Sequence, residues 1–497
     1  MTLTLVSMES ICFAWTDYLW GQGLDFFPSN TLNPGNTIGT ALDIGNLNGE
    51  FRFSGNVSPA DPVDVFQFNL TGTGSLHVDL TSLSADADLY LVRDFNNDRL
   101  VNNNEVIGLS EQFGNGAESI RLSNLAPGQY FVFVLQYAGS TDYQLTIKAD
   151  VSASNNSNAF NPLYGYGLVD ARAAVAMALG ETIPAVPDWS SEVPSNWTDL
   201  NLINAPDVWK RGITGRGIVV AVLDTGVDLD HPDLSPNIWR NLGEVANNGI
   251  DDDNNGFVDD VNGWDFGDRD NSPTPGRERG FEHGTHVAGT IGAVWNGVTI
   301  DSRGNRVEVQ GVAPDVTIMP VRVLGGRFGN TADALARGIR YAVDNGAHII
   351  NLSLGTGMNS TTLREALRYA EEKGVIVVSA AGNDANRGAT VPSFPARDAA
   401  LVDLGIAVGA IDQNVNVASF SNPAGTVLGE FPYVVAPGVR VLSTLPGNRY
   451  GTLSGTSMAT PHVAGVVALM LQANPSLTPS QVKDILSATA RSLPLLA

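Results

Sequence analysis

The sequence predicts an α/β fold on a mostly parallel sheet in its C-terminal part, preceded by a smaller all-β sandwich. Apolar runs at Ile218–Leu223, Thr317–Val323, His348–Leu354, Val375–Ala380 and Gly405–Ala410 have the composition of buried strands. Between them lie helical patterns such as Ala332, Leu335, Ile339, Ala342 and Val343. Buried strands joined through helices give a parallel sheet, whose ligand groups gather at the strand carboxyl ends. Upstream, from about Asn36 to Asp150, the pattern changes to short alternating runs: Val63–Leu70, Ala87–Val92 and Gln129–Val134, separated by Gly, Asn and Pro turns. That pattern reads as an antiparallel sandwich.

A chain of 497 residues has room for roughly three average domains, although one α/β domain can absorb more than half of it. Its 43% hydrophobic content supports a large core. A net charge of −24 argues against a nucleic-acid partner and for solubility or bound cations. The single cysteine, Cys12, excludes internal disulfides and leaves the compartment open. No Lys or Arg precedes Arg52 and no long apolar run occurs, so neither a secretory signal nor a membrane span is expected. The organisation expected is an irregular leader (1–35), the sandwich (36–150), a polar Ser/Asn linker (151–162), a short apolar segment (163–180) and the α/β domain (199–497). Oligomeric state is not legible.

Three segments carry chemistry. In Gly451–His462 a serine, Ser457, lies between small residues where a turn enters an apolar helix, whose N-terminal N–H groups favour a hydroxyl or oxyanion. Glu282-His283-Gly284-Thr285-His286 supplies an imidazole base suited to neutral pH. Val219–Gly226 ends a buried strand on Asp224. Together they are the parts of a Ser-His-Asp triad in the chain order Asp, His, Ser. His286 competes with His283, and Asp228, Asp230 and Asp233 compete with Asp224. The alternative for His286, His231 and His462 is a packed structural histidine.

With these motifs, residues 199 to 490 resemble the catalytic domain of the subtilisin-like serine proteases. The resemblance implies peptide-bond hydrolysis through an acyl-enzyme on a doubly wound, mostly parallel α/β fold, outside the cytoplasm, with polypeptides as substrates. It also implies that Ser457 is the nucleophile, His283 the base and Asp224 its orienter. Asn383, after the run Val375–Gly382, matches the family's oxyanion-hole asparagine; its alternative is a turn residue. Leu324-Gly325-Gly326 and Ser353-Leu354-Gly355 match the two edge segments that clamp an extended peptide. Asp384 matches the rim of the specificity pocket, where a carboxylate favours Lys or Arg before the cleaved bond.

Calcium is expected on residue grounds and from the resemblance. Asp251–Asp260 fits the start of a D-x-[DN]-x-[DN]-G loop, with Asp251, Asp253 and Asn255 as alternate oxygen donors. The twelfth-position Glu is replaced by Asn262, so bidentate closure must come from elsewhere, and Asp259 and Asp260 are the candidates. Asp265, Asp268 and Asp270 resemble a second calcium loop of thermostable relatives, and Asp233 matches a further ligand. In the sandwich Asp94, Asn96, Asp98 and Glu105 have EF-hand spacing, but Arg99 stands where the turn Gly belongs.

The sandwich resembles bacterial pre-peptidase C-terminal domains in Ser84–Leu91 and Leu125–Tyr130, although here it precedes the protease. Tyr164–Val175 resembles the element that usually closes the catalytic domain at its C-terminal end, and the order of parts resembles the calcium-dependent proteases of cyanobacteria. The segment is expected to pack beside a helix beginning near Thr478, with the sandwich held outside through the linker. A serine esterase is disfavoured, because Gly455–Ala459 departs from G-x-S-x-G at its last position.

Overall fold

The computed structural model describes residues 35–493 except 71–73, 95–100, 102–104, 113, 126–127, 152–159, 186–197, 278–279 and 358. All but the last residue of the leader expected over 1–35, most of the linker and the centre of the EF-hand-like loop therefore lie outside the described residues.

Nine strands form the sandwich: β1 (Leu42–Asn46), β2 (Gly49–Val57), β3 (Val63–Leu70), β4 (Gly74–Thr81), β5 (Asp86–Val92), β6 (Val106–Ser110), β7 (Glu118–Leu125), β8 (Gly128–Ala138) and β9 (Thr141–Val151). They pair as β1-β3-β8-β5-β6 and β2-β9-β4-β7. The alternation seen in the sequence becomes burial: Leu76, Val78 and Leu80 of β4 face Leu89 and Leu91 of β5 within one core, while the intervening residues stay partly exposed.

The larger unit is built on seven parallel strands in the order β11-β12-β10-β13-β14-β15-β16. These are β10 (Val219–Asp224), β11 (Trp264–Asp265), β12 (Thr317–Arg322), β13 (Ile349–Leu352), β14 (Ile376–Ala380), β15 (Ile406–Ile411) and β16 (Tyr433–Pro437). The first strand in sequence lies inside the sheet, so strand order reverses beside β10, where a doubly wound sheet opens its crevice. Helices cover both faces: α1 (Ala171–Leu179), α2 (His283–Gly292), α3 (Ala332–Asp344), α4 (Thr361–Glu372), α5 (Asp398–Val402), α6 (Thr456–Ala473) and α7 (Pro479–Thr489).

The surface helices start on side-chain caps. Thr331 accepts from Ala334 N–H, Ser360 from Leu363 N–H, and Thr478 forms a capping box with Gln481 before Pro479. By contrast α6 is apolar all round, and it runs buried against β13, β14, β15 and β16. No described helix is long and apolar enough to cross a membrane.

The 163–180 segment is bound to the α/β unit. Leu168 bridges both Val435 of β16 and Arg491, and α1 packs on α6 and α7. Asp170 caps α1 through Ala173 N–H and also accepts from Asn204, and Gly180 ends the helix at φ 68°.

An arrangement in which only the linker holds the sandwich is not what the structure shows. Arg93, buried, donates to the Leu428 carbonyl at 3.2 Å, and α5 lies against β7. Every residue of α5 is buried, so one short helix contributes to both packed faces.

Candidate active site

Asp224 is the last residue of β10 and is fully buried. Its Oδ1 accepts from His283 Nδ1 at 2.7 Å and from Thr225 N–H at 2.7 Å. His283 opens α2, where the chain is fixed by the Gly284 N–H donating to Thr225 Oγ1 at 2.9 Å. The close approach needs a glycine: a Cβ at Gly284 would lie 2.4 Å from the Gly226 carbonyl. Burial by itself lowers the His283 pKa. The charge of Asp224, its hydrogen bond and the nearby Glu282 more than offset that, and the imidazole ends above its ordinary value. A ring held at Nδ1 presents Nε2 as a proton acceptor.

Ser457 lies in the first turn of α6, which packs against α2. Its carbonyl accepts from Ser353 Oγ at 2.8 Å, and Ser353 in turn accepts from Asn351 at 2.9 Å. Neither Ser457 Oγ nor His283 Nε2 makes a hydrogen bond among the described residues. Such contacts are often long in a site without substrate.

Asn383 follows β14. Its Oδ1 accepts from the backbone N–H of Thr456 at 2.9 Å and from Thr456 Oγ1 at 3.2 Å. The carboxamide is thereby oriented, and Nδ2 is left without a hydrogen-bond partner among the described residues. A preset N–H donor beside a helix N-terminus is suited to a developing negative charge.

The rival residues are used elsewhere. His286 donates from Nε2 to the Val441 carbonyl at 2.9 Å, and burial drives its pKa down to about 4. His231 Nε2 meets the Arg449 carbonyl, and His462 Nδ1 meets that of Met458. Asp228 accepts from Gly447 N–H and Asp230 N–H. Asp233 is buried and accepts from Asn296 and from the Tyr450 hydroxyl.

The two edge segments flank the site. Leu324 N–H donates to the Asp224 carbonyl at 3.1 Å, and Gly325 follows at φ 81°. On the other side Ser353, Leu354 and Gly355 continue β13, and the backbone groups of Leu354 and Gly355 are unpaired among the described residues. Unpaired edge backbone is a template for one more strand. Asp384 is exposed and paired with Arg387 at 2.8 Å.

The acidic loops separate into two kinds. Glu244, Asp251 and Asp253 bring carboxylate oxygens within 4.8 Å of one another. Asn255 donates to Asp253 and Asp260, and Asn241 joins Asp253 and Asp260 at 2.8 Å each. Glu244 was missed in the sequence because it lies outside the D-x-D pattern, brought in by accepting the N–H groups of Asp252, Asp253 and Asp259. Asp265 and Asp268 instead face a guanidinium: Arg322 donates to them at 2.5 and 3.0 Å. Asp270 accepts from Ser272 N–H, and its backbone pairs with Asp265. Arg322 was missed in the sequence too, although a cation at the end of a buried strand is a signal, because such a charge needs a partner.

The Subtilase family profile matches residues 215–496, and that of the bacterial pre-peptidase C-terminal domain matches residues 62–136. Subtilisin Savinase of Lederbergia lenta is 42% identical over 294 residues, 59% of this chain and 91% of that protein. An alkaline protease of Alkalihalobacillus alcalophilus is 42% identical over the same length, which is 64% of its own chain. Thermitase of Thermoactinomyces vulgaris is 41% identical over 268 residues, 54% of this chain and 79% of that protein. The α/β unit with its parallel sheet and the all-β unit before it agree with both profiles, and the chain belongs to the subtilase family of serine endopeptidases, with a pre-peptidase C-terminal domain on its N-terminal side.

Proposed function

We propose that the chain cleaves polypeptides through an acyl-enzyme on Ser457, with His283 as base and then acid and Asp224 as its orienter. The observation that carries this reading is the 2.7 Å Asp224–His283 hydrogen bond, made between the end of β10 and the start of α2, the helix that packs against α6. The Ser457 hydroxyl attacks the scissile carbonyl carbon while His283 Nε2 takes its proton. The same proton then passes to the departing amine, and water repeats the sequence on the ester. Asn383 Nδ2 and the Ser457 N–H donate to the tetrahedral oxyanion, which in a dry site contributes more than any other single effect.

Substrate binds as an extended strand between Leu324–Gly325 and Ser353–Gly355, so that main-chain bonds give affinity. Asp384 favours a basic residue before the cleaved bond. Its exposed pairing with Arg387 is worth at most about 1 kcal/mol and is readily exchanged.

Calcium fits the Glu244–Asp251–Asp253 group, a set of hard oxygen donors whose mutual separations of up to 4.8 Å are about twice a calcium–oxygen distance, with Asn255 and Asp260 beside them. The ion would supply positive charge that lets these carboxylates sit together. We assign none to Asp265, Asp268 and Asp270, where Arg322 is already the cation, nor to Asp233, which joins no group of converging carboxylates among the described residues. The 163–180 segment completes the catalytic unit by covering β16, α6 and α7.

Casein turnover tests the assignment of the base. The wild type should hydrolyse casein, folded His283→Ala should not, and near-normal turnover by that variant would refute the role.

A further inference from the structure

The docking face between the sandwich and the α/β unit lies behind the wall of the substrate cleft. Gly355 of the proposed peptide-binding edge is followed by Thr356, which pairs antiparallel with Phe394: Thr356 N–H donates to the Phe394 carbonyl at 2.7 Å, and Phe394 N–H returns to Thr356 at 3.1 Å. Ser393 is wedged behind this pair. A Cβ on Gly355 would lie 3.3 Å from Ser393 Cβ, and one on Gly382 would lie 2.5 Å from Ser393 Oγ. Ser393 N–H also donates to the Ala381 carbonyl at 2.8 Å, two residues before Asn383. The wall and the oxyanion strand are therefore one packed piece.

Behind that piece stand two arginines and α5. Arg397 donates its N–H to the Ser393 carbonyl at 2.9 Å and lays its guanidinium 5.5 Å from the centre of the Phe394 ring. Arg364 ties three elements: Nε to Asp398 of α5 at 3.1 Å, Nη2 to Asn359 at 3.1 Å, and Nη1 to the carbonyl of Val106 at 3.5 Å. Val106 belongs to β6 of the sandwich. Its neighbour Glu105 is buried and acts electrostatically on Arg397. Arg93, which donates to the Leu428 carbonyl, fills the space left by Gly128, where a Cβ would lie 2.8 Å from its Nη2. Its backbone N–H bonds the Glu105 carbonyl at 2.9 Å, so Arg93 and Glu105 move together.

Resting on the protease reading above, we propose that the sandwich is a positioning module for the substrate wall: its Arg93–Glu105–Val106 corner backs Arg364 and Arg397, which hold Thr356 and Phe394 in the register an extended polypeptide needs. Removing the support loosens the edge that binds peptide and leaves the Asp224–His283–Ser457 chemistry as it was. These sandwich residues are positioning residues, since none touches the reacting groups.

Two variants of the full-length chain test this: Arg93→Met, which keeps the apolar stem and removes the donor, and Glu105→Gln, which removes one charge at constant volume. Three quantities are read: KM and kcat on an extended peptide anilide, the rate of labelling by a small fluorophosphonate that needs only the reacting groups, and hydrogen exchange at the Thr356 and Phe394 amides. The expected result is a roughly 3- to 10-fold rise in KM, the weight of about one hydrogen bond. Labelling should stay unchanged, Thr356 and Phe394 should exchange faster, and Arg93→Lys should recover part of the loss. Unchanged KM in folded variants overturns the proposal, and so does a parallel fall in labelling and peptide turnover, which would mean general destabilisation. If one variant fails to fold, the other decides: Thr356 and Phe394 exchanging no faster in it than in the wild type would also overturn the proposal. A wild type that fluorophosphonate does not label would fail the protease reading instead.

Discussion

Asp224 Oδ1 and His283 Nδ1 lie 2.7 Å apart, with the carboxylate wholly buried and the imidazole at the mouth of the crevice. That contact fixes which nitrogen carries the proton. Asp224→Asn would offer an N–H to Nδ1 and reverse the tautomer. Its kcat should fall about 10⁴-fold with the fold intact, the scale of that change in a serine-protease triad. Steady-state kinetics alongside circular dichroism checks it, and a loss under tenfold would deny Asp224 its role.

The pH profile follows from the same pair. As the proposed base, His283 would have to be neutral to accept the serine proton, so kcat/KM should rise with pH through its pKa. Burial pulls that pKa down, but Asp224 and then Glu282 carry it above the ordinary histidine value of 6.5. The acid limb should therefore have its midpoint above about 6.5, and Glu282→Gln should move it slightly toward acid. A limb centred well below that value would contradict the balance described.

Calcium dependence should map to one loop. An ion bound only by the folded protein stabilises it by mass action, about 2.7 kcal/mol at a hundredfold excess over Kd. EDTA should lower Tm and calcium restore it. Asp253→Ala should abolish that response, whereas Asp268→Ala should keep it because Asp268 faces Arg322. Calorimetric scans with the reverse pattern would relocate the site.

Two glycines test the 163–180 segment. A Cβ at Gly167 would lie 2.2 Å from the Arg491 carbonyl, at φ 117°, while one at Gly180 meets nothing within 4 Å. Gly167→Ala should cost about 2–4 kcal/mol and Gly180→Ala about 1 kcal/mol. Equal denaturation midpoints would show the segment to be a mere tether.

Much of this was legible because strong local patterns decide it. The five apolar runs became β10, β12, β13, β14 and β15 within one to two residues at each end, since continuous burial leaves no other period to compete. The helix pattern from Ala332 gave α3. Tyr433–Pro437 was not read as a strand, being short, preceded by Pro432 and ending on Pro437, yet it completes the sheet as an edge beside β15. The aspartate Asp224 was readable from its position after a buried strand. Glu244 was not, because it is defined by backbone N–H groups supplied across a loop. The docking of Arg93 on Leu428 joins residues far apart in sequence, and no local pattern encodes such a contact.

The most direct test is the site of covalent labelling. The purified chain is treated with a fluorophosphonate, digested and mapped by mass spectrometry. Ser457 should carry the adduct, with labelling lost in Ser457→Ala and reduced by orders of magnitude in His283→Ala. An adduct on another serine, or undiminished labelling of Ser457→Ala, would contradict the account at its centre.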